Sequence, residues 1–257
     1  MDTLFNKYQG TGNDFIIIDN RELHFISEPD VIVRMCHRRF GIGADGLILI
    51  EPNPETDFRM RYFNSDGYEG SMCGNGGRCA AHFAFNHKIA GSTMQFIAYD
   101  GVHRATVDGN VVHLTMSDVK HFRVTGDNCF LDTGSPHHVR FVSETENIDV
   151  VAEGRRIRYS DEYAPGGTNV NFVKISENLL EVRTYERGVE DETLSCGTGV
   201  TASAIAAVLG RHFDRMPVTV ATSGGTLTVS FLAGDEVITN VVLSGPATLV
   251  FEGEFKI

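Results

Sequence analysis

The chain is short of cations, of cysteine and of long apolar runs. Lysine and arginine number 22 against 34 aspartates and glutamates, a formal net charge of −12. The few adjacent basic pairs, Arg38-Arg39 and Arg155-Arg156, lie in an acidic background, which argues against a nucleic-acid partner held by phosphate neutralisation. No stretch approaches the roughly 18 apolar residues of a membrane span, and MDTLFNKYQG has neither a basic nor an apolar leader segment. A cytoplasmic protein without membrane contact is expected. Five cysteines (Cys36, Cys73, Cys79, Cys129, Cys196) are too few, and odd in number, for a disulfide framework, and no CxxC suggests zinc or a redox dithiol. HExxH and GxSxG are also missing, so neither a metal site nor a serine hydrolase built on Ser135 is expected.

What the 257 residues do contain is a repeat. Cys73-Gly-Asn-Gly-Gly-Arg-Cys-Ala-Ala and Cys196-Gly-Thr-Gly-Val-Thr-Ala-Ser-Ala share C-G-x-G-x-x-x-A at an offset of 123. Other landmarks keep that offset within two residues: Asn13 with His137, Asp45 with Asn169, Asn64 with Glu186, Gly101 with Gly225. Five matches in chain order are hard to produce by chance, so two copies of one unit are expected.

Each copy reads mostly as short strands, FIIID, LILIE, FRMRYF, MQFIAY, HRATV and VVHLTM in the first, HVRFV, NFVKI, EVRTYE, VTVAT, TLTVSF and EVITNVVL in the second. One helix per copy follows the C-G-x-G turn, over 76–88 and 198–209. The second is apolar on nearly every side, as a helix enclosed by curved sheet would be. A third helix is expected over 29–40, opening at Pro29. The seam falls around 117–130, and the terminal LVFEGEFKI, with no counterpart in copy one, is expected to return to the first unit. The domains are therefore 1–117 with about 247–257, and 118–246. Gly41-Ile-Gly-Ala-Asp-Gly46 matches GxGxxG, but it follows a helix and precedes a strand, the reverse of the dinucleotide fingerprint.

The paired cysteines carry the chemical argument. The first N–H groups of a helix lack intrahelical acceptors and form the positive end of its dipole, so they favour a thiolate and also offer a carboxylate site. If the copies face each other, the two thiols flank one small cleft. Inversion of a stereocentre needs such a pair: one thiolate takes the α-proton and the opposite thiol returns one. Helix-start amides would hold the carboxylate as it gains enolate charge. His137 and Glu186 are placed to accept a thiol proton, Arg187 to fork onto a second carboxylate, and Asn13, Asn64 and Asn169 to bind ammonium and carboxylate together.

KYQGTGNDFIIID, GIGADG, FNSDG, MCGNGGRC, GSPHHV, GTNVNFV, YERGVEDET and SCGTGVTA, in this order, resemble the diaminopimelate epimerase family over essentially the whole chain. The resemblance implies two pseudo-symmetric α/β (α+β) domains, each a mostly antiparallel, barrel-like sheet around a central helix. It implies cofactor-independent interconversion of L,L- and meso-diaminopimelate for lysine and peptidoglycan synthesis, a small-molecule substrate, no metal and a homodimer. By the same resemblance Cys73 and Cys196 are the acid/base pair, with His137 and Glu186 assisting. Gly74, Asn75, Gly197 and Thr198 would hold the reacting carboxylate, and Asn13, Asn64, Asn169 and Arg187 the distal amino-acid end. Two positions depart from the family pattern: Ser135 stands where many members have Asn, and Gly46 where some have Gln, and both bear on that distal end.

Three other readings compete. A proline or hydroxyproline racemase of the same fold also uses opposed thiols, but has no use for Arg187 and three asparagines. An aldose-type or pyridoxal-dependent isomerase needs a metal or a Schiff-base lysine, and none of Lys7, Lys88, Lys120, Lys174 and Lys256 lies in a paired motif. A non-catalytic amino-acid-binding module would keep the repeat without needing the thiols.

Overall fold

The structure, a computed structural model, describes residues 2–70, 72–234 and 236–256. The chain divides into two compact units, residues 1–114 with 245–257, and residues 115–244. In the first, alternating β-branched and aromatic runs form β1 (Asp2–Gly10), β2 (Asn13–Asp19), β3 (Gly46–Glu51), β4 (Phe58–Asn64), β5 (Thr93–Ala98), β6 (Gly101–Asp108) and β7 (Val111–Thr115). Helix α1 (Pro29–Cys36) joins β2 to β3, and α2 (Gly74–Asn86) joins β4 to β5. The second unit comprises β8 (Phe122–Thr125), β9 (Asn128–Asp132), β10 (Pro136–Val142), α3 (Val150–Arg158), β11 (Asn169–Ile175), β12 (Leu180–Glu186), β13 (Asp191–Thr193), α4 (Gly197–Leu209), β14 (Val218–Thr222), β15 (Gly225–Ala233) and β16 (Ile238–Pro246). The last strand, β17 (Thr248–Lys256), pairs antiparallel with β1.

Strand pairing shows the repeat in full. The first unit runs β17-β1-β2-β3-β4-β5-β6-β7, with β2 parallel to β3, β4 parallel to β5, and every other pair antiparallel. The second runs β8-β9-β10-β11-β12-β14-β15-β16, with β10 parallel to β11, β12 parallel to β14, and the rest antiparallel. The two orders are the same, and β17 fills from the far end of the chain the place that β8 holds in the second unit. Parallel neighbours cannot be joined by a tight turn and need a crossover. The four helices are those four crossovers.

The sheets have two covered faces. On one, α1 packs Ile32, Met35 and Cys36 against Ile16, Ile18, Leu47 and Leu49, and in the second unit α3 packs Val150 and Ile157 against Val170, Phe172 and Tyr185. On the other lie α2 and α4. Helix α2 touches β1, β2, β3, β4, β6 and β17, and α4 touches β9, β10, β11, β12, β14 and β15. A single helix can touch six strands spread across an eight-strand sheet only if the sheet curls round it. Covering on both faces explains why LILI in β3 reads as an unbroken apolar run. Inside α4, the hydroxyls of Thr201 and Ser203 donate to the Gly197 and Gly199 carbonyls at 2.9 and 2.7 Å, so their polar groups are satisfied within the helix.

Several boundaries differ from expectation. The helix expected over 29–40 ends at Cys36, because the His37 ring Nδ1 accepts the N–H groups of Arg39 and Phe40 and turns the chain away. Helices α2 and α4 begin two and one residues earlier than read, at Gly74 and Gly197, directly after their cysteines. Strands β1, β8, β9 and β13 and helix α3 were not anticipated. Helix α3 is announced by Asp149, whose carboxylate caps the Ala152 N–H at 3.0 Å. None of the helices among the described residues is long and apolar enough to cross a membrane.

Gly46 has a structural reason. A Cβ there would lie 2.5 Å from both the Phe63 carbonyl oxygen and the Tyr62 ring. Gly46→Gln is therefore expected to lower stability by about 1–3 kcal/mol, read as a reduced urea midpoint at unchanged slope. An unaltered midpoint would show that the strand has room to spare.

Candidate active site

In the first unit the site starts from a turn. Thr11 and Gly12, with φ of 50° and 85°, reverse the chain between β1 and β2 and deliver Asn13 to the start of β2. The Asn13 Nδ2 donates to Asp45 Oδ2 at 2.7 Å, which fixes its Oδ1 as the outward acceptor. That oxygen takes the Cys73 thiol at 3.5 Å and the Asn75 amide at 3.4 Å. Three expected site residues thus meet. Beneath them Asp14 bonds Lys7 and Arg38 at 2.7 and 2.8 Å. Burial alone would push its carboxyl up, but these two cations outweigh it and hold the group at about 2.

Cys73 is the residue immediately before α2, with extended backbone (φ −106°, ψ 118°), and its carbonyl accepts the Gly77 N–H at 2.7 Å. Its side chain does not cap the helix. Asn64 ends β4 exposed and, among the described residues, makes no side-chain hydrogen bond; its amide lies beside Gly70. It is not joined to the Asn13 cluster and keeps its full donor and acceptor capacity.

The second unit repeats this plan with different side chains. Cys196 precedes α4 with nearly the same backbone (φ −113°, ψ 113°), its carbonyl accepting the Val200 N–H at 2.8 Å, and its sulfur lies 3.3 Å from Thr198 Oγ1. The Thr198 carbonyl is held in turn by the Thr133 hydroxyl at 2.9 Å. Gly199 is required here: a Cβ would lie 2.4 Å from Asn171 Oδ1 and 3.4 Å from both His137 Cε1 and Cys196 Cβ. Its absence lets the first turn of α4 rest directly on Asn171 and His137.

That contact decides the state of His137. Asn171 Nδ2 lies 3.2 Å from the His138 carbonyl, which can only accept, so this atom is the amide nitrogen. Its other N–H then points at His137 Nδ1, 3.0 Å away, while Asn171 Oδ1 accepts from Thr184 Oγ1 at 3.0 Å. Nδ1 is therefore an acceptor and the ring proton sits on Nε2, which is buried without a hydrogen-bond partner among the described residues. Burial first, and the Arg187 charge second, pull the ring down to about 3, so the imidazole is neutral. In this state the ring presents an N–H at Nε2 and its Nδ1 lone pair is taken by Asn171.

Around the end of β12, Glu186 accepts the Thr193 hydroxyl at 2.9 Å. Asn169 is buried and heavily committed: its amide donates to Ser135 Oγ at 2.8 Å and Pro136 O at 2.9 Å, and its oxygen accepts the Arg187 N–H at 2.8 Å. It braces Arg187 against Ser135 and retains one oxygen lone pair for a ligand. The Arg187 guanidinium meets only the Gly166 carbonyl at 3.3 Å and has no carboxylate partner among the described residues. It is a cation available for a ligand carboxylate. Sequence reasoning missed Asn171, Thr133 and Thr184; Asn171 was visible as the same-face neighbour of Asn169 two residues along β11.

The family model for diaminopimelate epimerase matches residues 5–121 and 129–250. The chain is 51% identical to the diaminopimelate epimerase of Flavobacterium psychrophilum over 96% of its length and 97% of that protein's, and 43% identical to that of Aquifex aeolicus over 98% and 97%. The chain belongs to the diaminopimelate epimerase family. Among solved structures it is similar to a phenazine biosynthesis protein of the PhzF family from Bacillus anthracis, with a TM-score of 0.78 at 15% identity over all of both chains. A probable proline racemase from Agrobacterium radiobacter gives 0.70 at 15%, over 99% of this chain and 93% of that one. At such identities the likeness is one of fold. With this family membership the racemase and binding-module alternatives are not favoured.

The His137 assignment has a direct check. Its ¹⁵N resonances should report an unprotonated Nδ1 and a protonated Nε2 throughout pH 8 to 5. An unfolded histidine titrates near 6.5, so between about 6.5 and 3 the unfolded chain binds a proton that the folded one refuses. Its contribution to stability is full above 6.5 and is lost as pH falls toward 3. A ring that titrates near 6.5 in the folded protein would contradict the hydrogen-bond assignment.

Proposed function

We propose that this protein interconverts L,L- and meso-diaminopimelate without a cofactor, passing the α-proton between Cys73 and Cys196. The observation that carries this reading is that, in a chain of this family, each repeat places a cysteine immediately before the first turn of an enclosed helix.

Inversion at carbon needs one group to take the proton from one face and a second to return a proton to the other. Each half-site supplies one thiol. As the α-carbon loses its proton, charge moves onto the carboxylate, where it meets N–H groups at Gly74, Asn75, Gly197 and Thr198 that their helices leave without internal acceptors. These donors are fixed before the reaction, so stabilising the developing charge requires no rearrangement. The roles of the thiols exchange when the reaction runs backward.

The other end of the substrate is a second amino acid with its own carboxylate and ammonium. Arg187 forks onto the carboxylate, and Asn13, Asn64 and Asn169 supply the mixed donors and acceptors an amino-acid end group needs. Asn169 contributes chiefly by bracing Arg187, and Glu186 supports the second thiol. His137, neutral and carrying its proton on Nε2, assists as a donor.

Purified protein incubated with L,L-diaminopimelate in deuterated water, with no added cofactor, should incorporate deuterium at the α-carbon and yield the meso isomer. Cys73→Ala and Cys196→Ala should each suppress exchange by about 10²–10⁴-fold, the usual worth of a positioned acid or base. Exchange that survives both substitutions would remove the thiols from the mechanism.

A further inference from the structure

The least expected side chain in the first unit is Arg78. It stands one turn into α2 and is 0% exposed, yet no carboxylate among the described residues pairs with it. Its Nη1 donates to the Gly74 carbonyl at 3.3 Å and its Nη2 to Thr11 Oγ1 at 3.4 Å, while Nε is buried with no partner. A guanidinium remains charged in proteins, and a buried charge without a counter-ion is costly enough to need a function. Burial works against this charge; the Cys79 and Cys73 sulfurs work for it.

The repeat supplies the comparison. At an offset of 123 the equivalent of Arg78 is Thr201, whose hydroxyl donates to the Gly197 carbonyl just as Arg78 donates to that of Gly74. The same bond is made in both units, by a full positive charge in one and a neutral hydroxyl in the other. Bonding a guanidinium to the Gly74 carbonyl polarises that peptide and adds to the positive end of α2 beneath the sulfur.

We propose that Arg78 is a positioning residue that makes Cys73 the resting thiolate and leaves Cys196 the resting thiol. The assignment rests on the reading of these cysteines as the acid/base pair.

Other titratable and charged groups stand around both helices. Around α2 stand Cys79 on the helix itself, held protonated by burial with its thiol pushed up to about 12, and Tyr8 on β1, also raised by burial. His103 on β6 is paired with Asp100 at 2.8 Å, Glu252 on β17 takes Asn6 at 2.6 Å, and Asp45 is spent on Asn13 and Arg38. From β3 and β4, Ile48 and Met60 meet the first turn. The contact of Cys73 with Asn13 Oδ1 favours the thiol, but a sulfur–oxygen contact at 3.5 Å is weak beside a unit charge in a desolvated site. Around α4 are neutral His137, Cys129 pushed up to about 11 by burial, Glu186, and Arg187, whose charge also favours a thiolate but is partly exposed and so screened more than that of fully buried Arg78.

The test is alkylation of the intact protein by iodoacetamide from pH 5 to 10, with each cysteine followed by peptide mass spectrometry. In the unsubstituted protein the half-reaction pH of Cys73 should lie at least about one unit below that of Cys196, a tenfold difference in thiolate ratio. Arg78→Met should raise the Cys73 value by about a unit or more, leave that of Cys196 in place and move the acidic limb of kcat/KM upward; Arg78→Lys should restore both. Equal values for the two cysteines in the unsubstituted protein, or a Cys73 value unmoved in Arg78→Met, would overturn the proposal. Should Arg78→Met not fold, the order in the unsubstituted protein decides. Alkylation needs no substrate, so a failed diaminopimelate exchange with the predicted thiol order would reject the epimerase reading alone.

Discussion

A helix wrapped by sheet along its whole length can meet a ligand only at its ends. This constraint organises both units. Most of α2 and nearly all of α4 are buried against strands, and beyond the first turn their buried residues, Arg78 and Cys79 apart, are small or apolar, with the Thr201 and Ser203 hydroxyls bonded back into the helix. The polar capacity left over is concentrated in the first turn, where four N–H groups have no intrahelical acceptor. In each unit a cysteine stands just before that turn, and glycines keep the turn bare.

Fixed proton positions follow from the same enclosure. Where water is excluded, an amide that could rotate freely in solution is held by what surrounds it. The His138 carbonyl fixes buried Asn171 and through it His137, and at the half-exposed start of β2 Asp45 orients Asn13. Asn13 and His137 stand at repeat-equivalent places at the start of β2 and β10, and each is anchored by a partner on the neighbouring parallel strand or just before it. The duplicated backbone thus presents an oxygen acceptor in one unit and an N–H donor in the other. Parallel pairing does this work: β2 beside β3 and β10 beside β11 bring the two strand starts level.

Much of this was legible from residues alone. The offset of 123 to 124 revealed the repeat because C-G-x-G turns and β-branched runs are short, local signals that survive divergence. The placement of Cys73 and Cys196 just before the first turns of α2 and α4 was legible for the same reason. Strand β8 was not, since FRVT is mostly exposed and lacks the alternation that marks a half-buried strand. Helix α3 was hidden by three arginines and Gly154, which dilute its apolar stripe. The tautomer of His137 lay beyond reach, because it depends on Asn171, 34 residues away, and on which end of that amide meets a backbone carbonyl.

Duplication gives two similar backbones, and the proposed mechanism uses two thiols in different states, one charged and one not. Two thiols that share a site titrate in two steps, because the first thiolate opposes ionisation of the second, so the singly ionised pair exists even in equal surroundings. A difference between the halves decides which sulfur carries the charge. It has to sit close enough to a sulfur to act on it and far enough from the ligand surface to leave both turns equally open. The one-turn-in position of α2 and α4 meets both conditions: its side chain lies beneath the turn, bonds the carbonyl that follows the cysteine, and takes no space at the ligand surface. That the two units carry Arg78 and Thr201 there, on otherwise similar first turns, is where a symmetric fold can become an asymmetric acid/base pair with the least change to its shape.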